Sequence, residues 1–253
     1  MEQLPALQVV LPMFSALLCL LIRNRTANRL FAVAVSWGCL AIALILFQTV
    51  QKTGPISYHL GGWFPPLGIE YRIDLLNAYV LIIVAMMSAV VLPFGFGHWG
   101  LSIPEGREYL FYSALLLCIS GLLGIAITGD AFNMFVFLEI TALSSYTLIA
   151  MGHNRLALRA AFTYLVMGTV GGTFILIGIG MMYLETGTLN MVDIANRLAL
   201  AHGSRTVPVA FAFLTVGVGI KLAVFPLHQW SVSYTHLRAH ETSLHLVCRL
   251  LLE

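Results

Sequence analysis

Seven long stretches of this 253-residue chain are apolar and almost free of charge. A bilayer core about 30 Å thick is crossed by about 20 residues of helix, so each stretch is long enough to span it. Helices are favoured over barrel strands, because the stretches do not alternate and a helix satisfies every backbone group within one segment. The sequence therefore predicts an all-α polytopic membrane protein. The predicted spans are 4–22, 30–50, 75–97, 109–129, 131–152, 160–184 and 207–227.

Composition excludes the main alternative classes. Charged residues make up 9% of the chain, whereas a soluble domain carries about a quarter. A net charge of +2 gives no basic surface for a nucleic acid. The four cysteines form no C-x-x-C pair and are interpreted as apolar fillers, so we expect neither a zinc site nor a disulfide framework. No cofactor is expected either, because the sequence has no flavin, iron–sulfur or nucleotide signature. No repeat or linker divides the chain, which indicates one membrane domain over residues 1–230.

The loop charges predict an orientation, because Lys and Arg concentrate on the cytoplasmic side. Six basic residues follow the odd-numbered spans and four follow the even-numbered ones, which favours an N-terminus outside. The first span is not interpreted as a cleavable signal peptide, because no basic residue precedes it. The first set is Arg23, Arg25, Arg29, Arg107, Arg155 and Arg159, and the second is Lys52, Arg72, Arg197 and Arg205.

Two segments on the outer side are predicted to be more than simple connections. Residues 61–68 read Gly-Gly-Trp-Phe-Pro-Pro-Leu-Gly and cannot form a helix, because prolines and glycines are adjacent. Residues 188–200 mix apolar and charged positions with the spacing of a short interfacial helix. Both are interpreted as structural rather than chemical features.

Glu139 and Lys221 are the two ionisable residues of consequence inside the predicted spans. Each costs about 2.5–3.5 kcal/mol at the centre of a bilayer, so neither is expected to face lipid. Because their charges are opposite, we expect both to point into the bundle, paired or wetted by a polar cavity. Such a site can take up and release protons.

The neighbours of Lys221 predict a discontinuous seventh span. Gly217 and Gly219 precede it and Pro226 follows, and these residues weaken or break a helix. Broken spans with ionisable groups at the break occur in transporters. The alternative is that Lys221 extends along the helix to the cytoplasmic edge.

Other polar residues receive simpler interpretations. Asp74 and Asp130 each precede a span and are predicted to cap a helix, with Asp130 also a secondary polar candidate. His153 is another secondary candidate and otherwise part of the cytoplasmic positive charge. His228 either relays protons or closes the span. Gly168 and Gly172 have the spacing of close helix packing.

Three segments together resemble the proton-translocating antiporter-like subunits of respiratory complex I and of Mrp-type cation/proton antiporters. They are residues 133–140 (Asn-Met-Phe-Val-Phe-Leu-Glu-Ile), Gly152-His153, and residues 219–230, from Gly-Ile-Lys to His-Gln-Trp. The outer segment 61–74 is most similar to the D-type subunit of Mrp antiporters. The resemblance covers about residues 1–230 and implies the N-terminal half of a fold with about fourteen spans in two inverted halves.

This resemblance implies a function. Glu139 and Lys221 would be the residues that couple proton movement to charge changes, and His228 would lie at the helix break. The expected protein is a subunit of an Mrp-type Na+/H+ antiporter in a prokaryotic plasma membrane, handling protons and Na+ with other membrane subunits. The alternative is a proton-pumping subunit of a complex-I-like NADH:quinone oxidoreductase. No catalytic centre of its own is recognised, so it would be an enzyme only through membership of such a complex.

Residues 231–253 depart from the family pattern. They hold three of the eight histidines and resemble a read-through sequence, which suggests a truncated or artefactual C-terminus. A third hypothesis is therefore an inert half-subunit. Residues 240–245 fail the zinc-protease motif, because three residues rather than two separate Glu241 from His245. His236 and His240 lie one helical turn apart and could hold a metal, but no metal is expected there.

Overall fold

The computed structural model describes residues 3–94, 106–152, 155–199 and 204–228. This part of the chain is predominantly helical, as predicted, and six of its helices are long and apolar enough to cross a membrane. The helices are α1 (Leu4–Leu21), α2 (Arg25–Thr53), α3 (Leu75–Phe94), α4 (Glu108–Ile127), α5 (Ala131–Ala150), α6 (Arg155–Thr186), α7 (Met191–Leu198) and α8 (Thr206–Lys221).

The helix starts follow from local capping, as predicted for two aspartates. The Asp130 carboxylate accepts a hydrogen bond from the Asn133 backbone N–H at 2.7 Å, at the start of α5. The Asp74 carboxylate does the same for Asn77 at 2.8 Å, at the start of α3. Each bond satisfies a backbone N–H that has no partner within its own helix.

A β-hairpin between α2 and α3 was missed by the sequence analysis. Strands β1 (Ile56–His59) and β2 (Glu70–Ile73) pair antiparallel, with Ile56 opposite Ile73. The connection is largely non-helical, as predicted, apart from a single 3-10 turn at Leu60–Gly62. The short helix predicted in residues 188–200 is confirmed as α7.

The helices pack around two groups of buried residues. The larger group is built mainly by α1, α2, α3 and α4 with the hairpin. The smaller one joins the first turn of α5 to α6, through Ala131, Ile175 and Ile179, and Leu214 of α8 packs against it. The α6–α8 contact is especially close, because a side chain on Gly217 would meet the Gly171 carbonyl oxygen at 2.7 Å. Small residues allow such backbone approach between membrane helices.

Hydrogen bonds join three connections at one end of the bundle, which we call the hairpin side. The carboxylate of Glu70, on β2, accepts hydrogen bonds from the side chains of Asn190 at 2.7 Å and Ser57 at 2.5 Å. The backbone carbonyl of Glu70 accepts from Gly129 at 2.8 Å. The hairpin is thereby tied to the α4–α5 turn and to the α6–α7 turn. At the opposite side, Arg25 pairs with Glu108 at 2.8 Å.

The predicted seventh span is shorter than expected. Helix α8 ends at Lys221 rather than at residue 227, and its 16 residues cover about 24 Å at 1.5 Å per residue. The backbone then turns, with Ala223 at a φ of +52°. Val224 donates to the Gly219 carbonyl at 3.0 Å and Ala223 donates to the Ile220 carbonyl at 3.1 Å, the hydrogen-bond pattern of a Schellman motif.

The predicted helix break therefore lies at a different position. Gly217 and Gly219 were expected to interrupt the span, but α8 continues through both of them. Gly217 instead permits close packing against α6. Pro226 lies in the turn, five residues beyond the last helical residue, so it does not interrupt α8 either.

Candidate functional site: an ion pair between membrane helices

Lys221 and Glu139 form a salt bridge between α8 and α5. The Lys221 ammonium group donates a hydrogen bond to Glu139 Oε1 at 3.0 Å. The two side chains are 13% and 23% exposed, respectively, so both lie mostly inside the protein. The alternative that Lys221 extends to the membrane edge is not what the structure shows, because its charged end contacts Glu139.

Helix geometry explains how two residues at different depths along their helices meet. Side chains of a helix lean toward its N-terminus, so the long Lys221 side chain leans back along α8, toward the hairpin side. The end of a helix also carries partial negative charge, which favours a cation in its last turn. Lys221 is the last residue of α8.

Helix α6 forms the wall behind the pair and places it near the middle of the bundle. A side chain on Gly172 would overlap Glu139 Oε1, so the glycine makes room for the carboxylate. A side chain on the adjacent Gly171 would meet Ile220, the neighbour of Lys221. Gly171 lies 16 residues after the first residue of α6 and 15 before the last, about 24 Å from either end.

The short distance between the two opposite charges gives a strong attraction. At 3.0 Å and an effective dielectric constant of about 20, the attraction between two unit charges is about 5 kcal/mol. Loss of one partner would leave the other charge uncompensated between apolar helices, which is costly. The attraction between the two groups therefore depends on both of them carrying their charges.

The remaining predicted site residues do not bond to the pair in the described structure. His228 lies in the turn after α8, where its Nδ1 is buried without a hydrogen-bond partner in the described residues and its ring centre is 5.5 Å from that of Phe225. Asp130 caps α5 on the hairpin side, and burial raises the pKa of its carboxyl group. His153 lies outside the described residues.

Sequence reasoning missed two features of the site. The Gly168–Gly172 spacing predicted close packing, but not that the groups fitted against these glycines are the Tyr146 hydroxyl and the Glu139 carboxylate. The buried Glu70 on the hairpin side was also missed, because a hairpin residue outside the spans gave no signal of burial. The spacing of Glu139 and Tyr146, seven residues apart on α5, could have predicted a shared helix face.

Fold and site together define the class: a polytopic helical membrane protein with an acid–base pair buried between its spans. Residues 128–241 match the family model for the transmembrane domain of NADH:quinone oxidoreductase and Mrp antiporter subunits. This match confirms the predicted resemblance to the family.

Curated relatives come from both branches of the family. The chain is 40% identical over 238 residues to the N-type subunit of the NADH-quinone oxidoreductase of Desulforudis audaxviator, covering 92% of this chain and 47% of that protein. It is 33% identical over 232 residues to the D-type subunit of the Na+/H+ antiporter of Bacillus subtilis, covering 91% of this chain and 46% of that protein. The chain thus spans about half the length of the curated relatives it matches.

Solved structures agree with this assignment. A chain of the membrane-bound sulfane sulfur reductase, an archaeal respiratory membrane complex, matches with a TM-score of 0.82 and 33% identity, over 91% of this chain and 47% of that one. A chain of the Mrp complex from Dietzia matches with a TM-score of 0.78 and 26% identity, over 90% of this chain and 42% of that one. Respiratory complex I from Thermus thermophilus shares the fold, at a TM-score of 0.67 and 22% identity over 91% of this chain and 46% of that one.

Proposed function

We propose that this chain is the membrane domain, residues 1–230, of a proton-translocating subunit, and that protons move through the Glu139–Lys221 pair. The observation that carries the proposal is the 3.0 Å salt bridge near the middle of α6. A permanent ion pair between apolar helices is a poor source of stability, because the desolvation of both charges offsets much of their attraction. A role in proton transfer would account for an ion pair at this position.

The proposed step is an opening and closing of the pair. A proton arriving at Glu139 neutralises the carboxylate and removes most of the attraction for Lys221. The ammonium group can then move away or release its own proton to a neighbouring acceptor. When Glu139 loses its proton again, the attraction of about 5 kcal/mol at 3.0 Å restores the pair.

Two assemblies are candidates for the complete complex. Our first proposal remains an Mrp-type Na+/H+ antiporter in a prokaryotic plasma membrane with the N-terminus outside, supported by the match to the D-type antiporter subunit of Bacillus subtilis. The second is a complex-I-like redox-driven pump, favoured by the 40% identity to a quinone oxidoreductase subunit. Other membrane subunits are expected as partners in both.

Proton transport by the purified complex containing this chain tests the site. In proteoliposomes with a pH-sensitive dye inside, Lys221→Ala should lower the initial rate of proton transport at least a hundredfold while the complex still assembles. Glu139→Gln should do the same. Lys52→Ala is the matched control, because Lys52 is the other lysine of the chain and lies in the exposed last turn of α2. Transport at the wild-type rate in Lys221→Ala would refute the proposal.

The energy source distinguishes the two assemblies. A Na+ gradient imposed across the proteoliposome membrane should drive proton movement in an Mrp-type complex. A quinone and its electron donor should drive it in a redox complex. The neighbouring genes give an independent check, since small hydrophobic antiporter subunits indicate the first assembly and iron–sulfur subunits the second.

A further inference from the structure

Tyr146 carries a buried hydroxyl group that the proposed mechanism has not used. The residue lies on α5 and is 5% exposed. Its hydroxyl has no hydrogen-bond partner among the described side chains and backbone groups. An unsatisfied buried hydroxyl is costly, so its position inside a membrane protein calls for a polar partner such as water.

The hydroxyl faces the same groove of α6 that holds the ion pair. A side chain on Gly168 would overlap the Tyr146 hydroxyl, just as one on Gly172 would overlap Glu139 Oε1. Gly168 and Gly172 are one helical turn apart on one face of α6, and Glu139 and Tyr146 are two turns apart on α5. The two helices therefore present the phenol and the carboxylate to one continuous strip between them.

The spacing of this strip suits a water-mediated contact. Positions four residues apart on a helix, such as Gly168 and Gly172, have Cβ atoms about 6 Å apart. The Tyr146 hydroxyl oxygen and Glu139 Oε1, which lie against these two positions, are therefore separated by a distance of this order. Two hydrogen bonds of about 2.8 Å through one water molecule cover a similar length. The Tyr146 hydroxyl is also close enough to Glu139 to interact with it electrostatically.

Tyr146 and Glu139 lie at different distances from the hairpin side. Helix α5 runs away from the hairpin side, so Tyr146 lies about 10 Å farther from that side than Glu139. The ring of Tyr164, on α6, packs edge-on against the Tyr146 ring at 4.7 Å and holds it in place. The hydroxyl thus lies between the ion pair and the side opposite the hairpin.

We propose that the Tyr146 hydroxyl, with bound water, relays protons between the Glu139–Lys221 pair and the side opposite the hairpin. A protonated water on the far side gives a proton to the phenol oxygen as the phenol O–H gives its own to the water beside Glu139. At the phenol oxygen one O–H bond forms and one breaks, so the phenol stays neutral. The water on the far side loses a proton, and the water beside Glu139 gains one. This inference rests on the proposed function of the pair.

Tyr146→Phe tests the relay, because it removes the hydroxyl and keeps the ring that packs against Tyr164. In the proteoliposome assay we expect a proton transport rate about tenfold lower, the cost of one lost hydrogen bond in the pathway. Tyr183→Phe, at a 47% exposed position of α6, is the matched control and should transport at the wild-type rate. An unchanged rate for Tyr146→Phe would overturn the relay.

Two further measurements separate a relay from a structural role and from failure of the pair itself. Incorporation of 3-fluorotyrosine in place of Tyr146, whose phenol is more acidic, should restore the rate and shift its pH profile. If the pH profile does not shift, the hydroxyl is only structural and the relay is wrong. Lys221→Ala is measured in parallel. If Lys221→Ala loses transport while Tyr146→Phe transports at the normal rate, the relay alone is rejected. If both variants transport at the normal rate, the proposed function is rejected.

Discussion

Replacement of Gly172 by alanine should loosen the Glu139–Lys221 pair without changing either charged residue. The new methyl group would lie 3.1 Å from Glu139 Cδ and closer still to Oε1. Both distances are shorter than 3.4 Å, where ordinary van der Waals contacts begin. The carboxylate must therefore retreat by about 1 Å, or the helices must separate. In either case Glu139 Oε1, the atom that accepts the hydrogen bond from Lys221, is displaced.

The magnitude follows from the distance. Lengthening the 3.0 Å contact to about 4 Å at an effective dielectric constant of about 20 reduces the attraction by roughly 1.4 kcal/mol, a tenfold change in the pairing equilibrium. Alanine is also the better helix former, by about 1 kcal/mol in an exposed helix. Gly180→Ala is the matched control, because Gly180 lies on the same helix and a methyl group there meets no atom of the described residues within 4 Å.

A double-mutant cycle measures this effect. Thermal unfolding in detergent should place Gly172→Ala about 1.4 kcal/mol below Gly180→Ala, which is about 3–5 °C for a chain of this size. In a Glu139→Ala background the carboxylate is gone, so the two glycine variants should be equally stable. The reasoning is refuted if Gly172→Ala matches Gly180→Ala in the wild-type background, or if their difference persists without the carboxylate.

Two more predictions concern the hairpin side. Asn190→Ala removes the cap of α7 and also the donor to the buried Glu70 carboxylate, whereas the control Asn24→Ala removes only the cap of α2. The free energy of unfolding in detergent should therefore be about 1–3 kcal/mol lower for Asn190→Ala than for Asn24→Ala. Equal losses of stability would show that the hydrogen bond to Glu70 contributes nothing. Burial raises the pKa of Asp130, so the unfolded chain ionises first and this residue makes the fold less stable as pH rises above its ordinary pKa. Asp130→Asn keeps the capping oxygen and should gain stability relative to wild type between pH 3.5 and 7 in thermal scans, and a relative loss would contradict the assignment.

The long spans were predictable because the bilayer imposes a length and a polarity that the sequence must obey. The meeting of Glu139 and Lys221 was predictable for a related reason, since two opposite charges inside apolar segments have few other partners. The hairpin was missed because its strands are only four residues long and show little alternation: most of β1 is half-buried, and most of β2 is buried.

The end of α8 was misplaced for a different physical reason. Gly217 and Gly219 were interpreted through their low helix propensity, but tertiary packing decides how they are used. In this fold Gly217 brings α8 into contact with α6, and the helix ends through a backbone motif whose left-handed residue is Ala223. A left-handed alanine is uncommon, so no residue at this position predicts the end of the helix.

The turn that ends α8 also decides where water is needed. A helix that stops beside the middle of α6 exposes its last carbonyl groups at a depth where solvent is scarce. The Schellman hydrogen bonds engage the carbonyls of Gly219 and Ile220 within the turn itself. Neither of these two carbonyl groups therefore needs water at this depth, so water that reaches the turn is free to contact the Lys221 ammonium group.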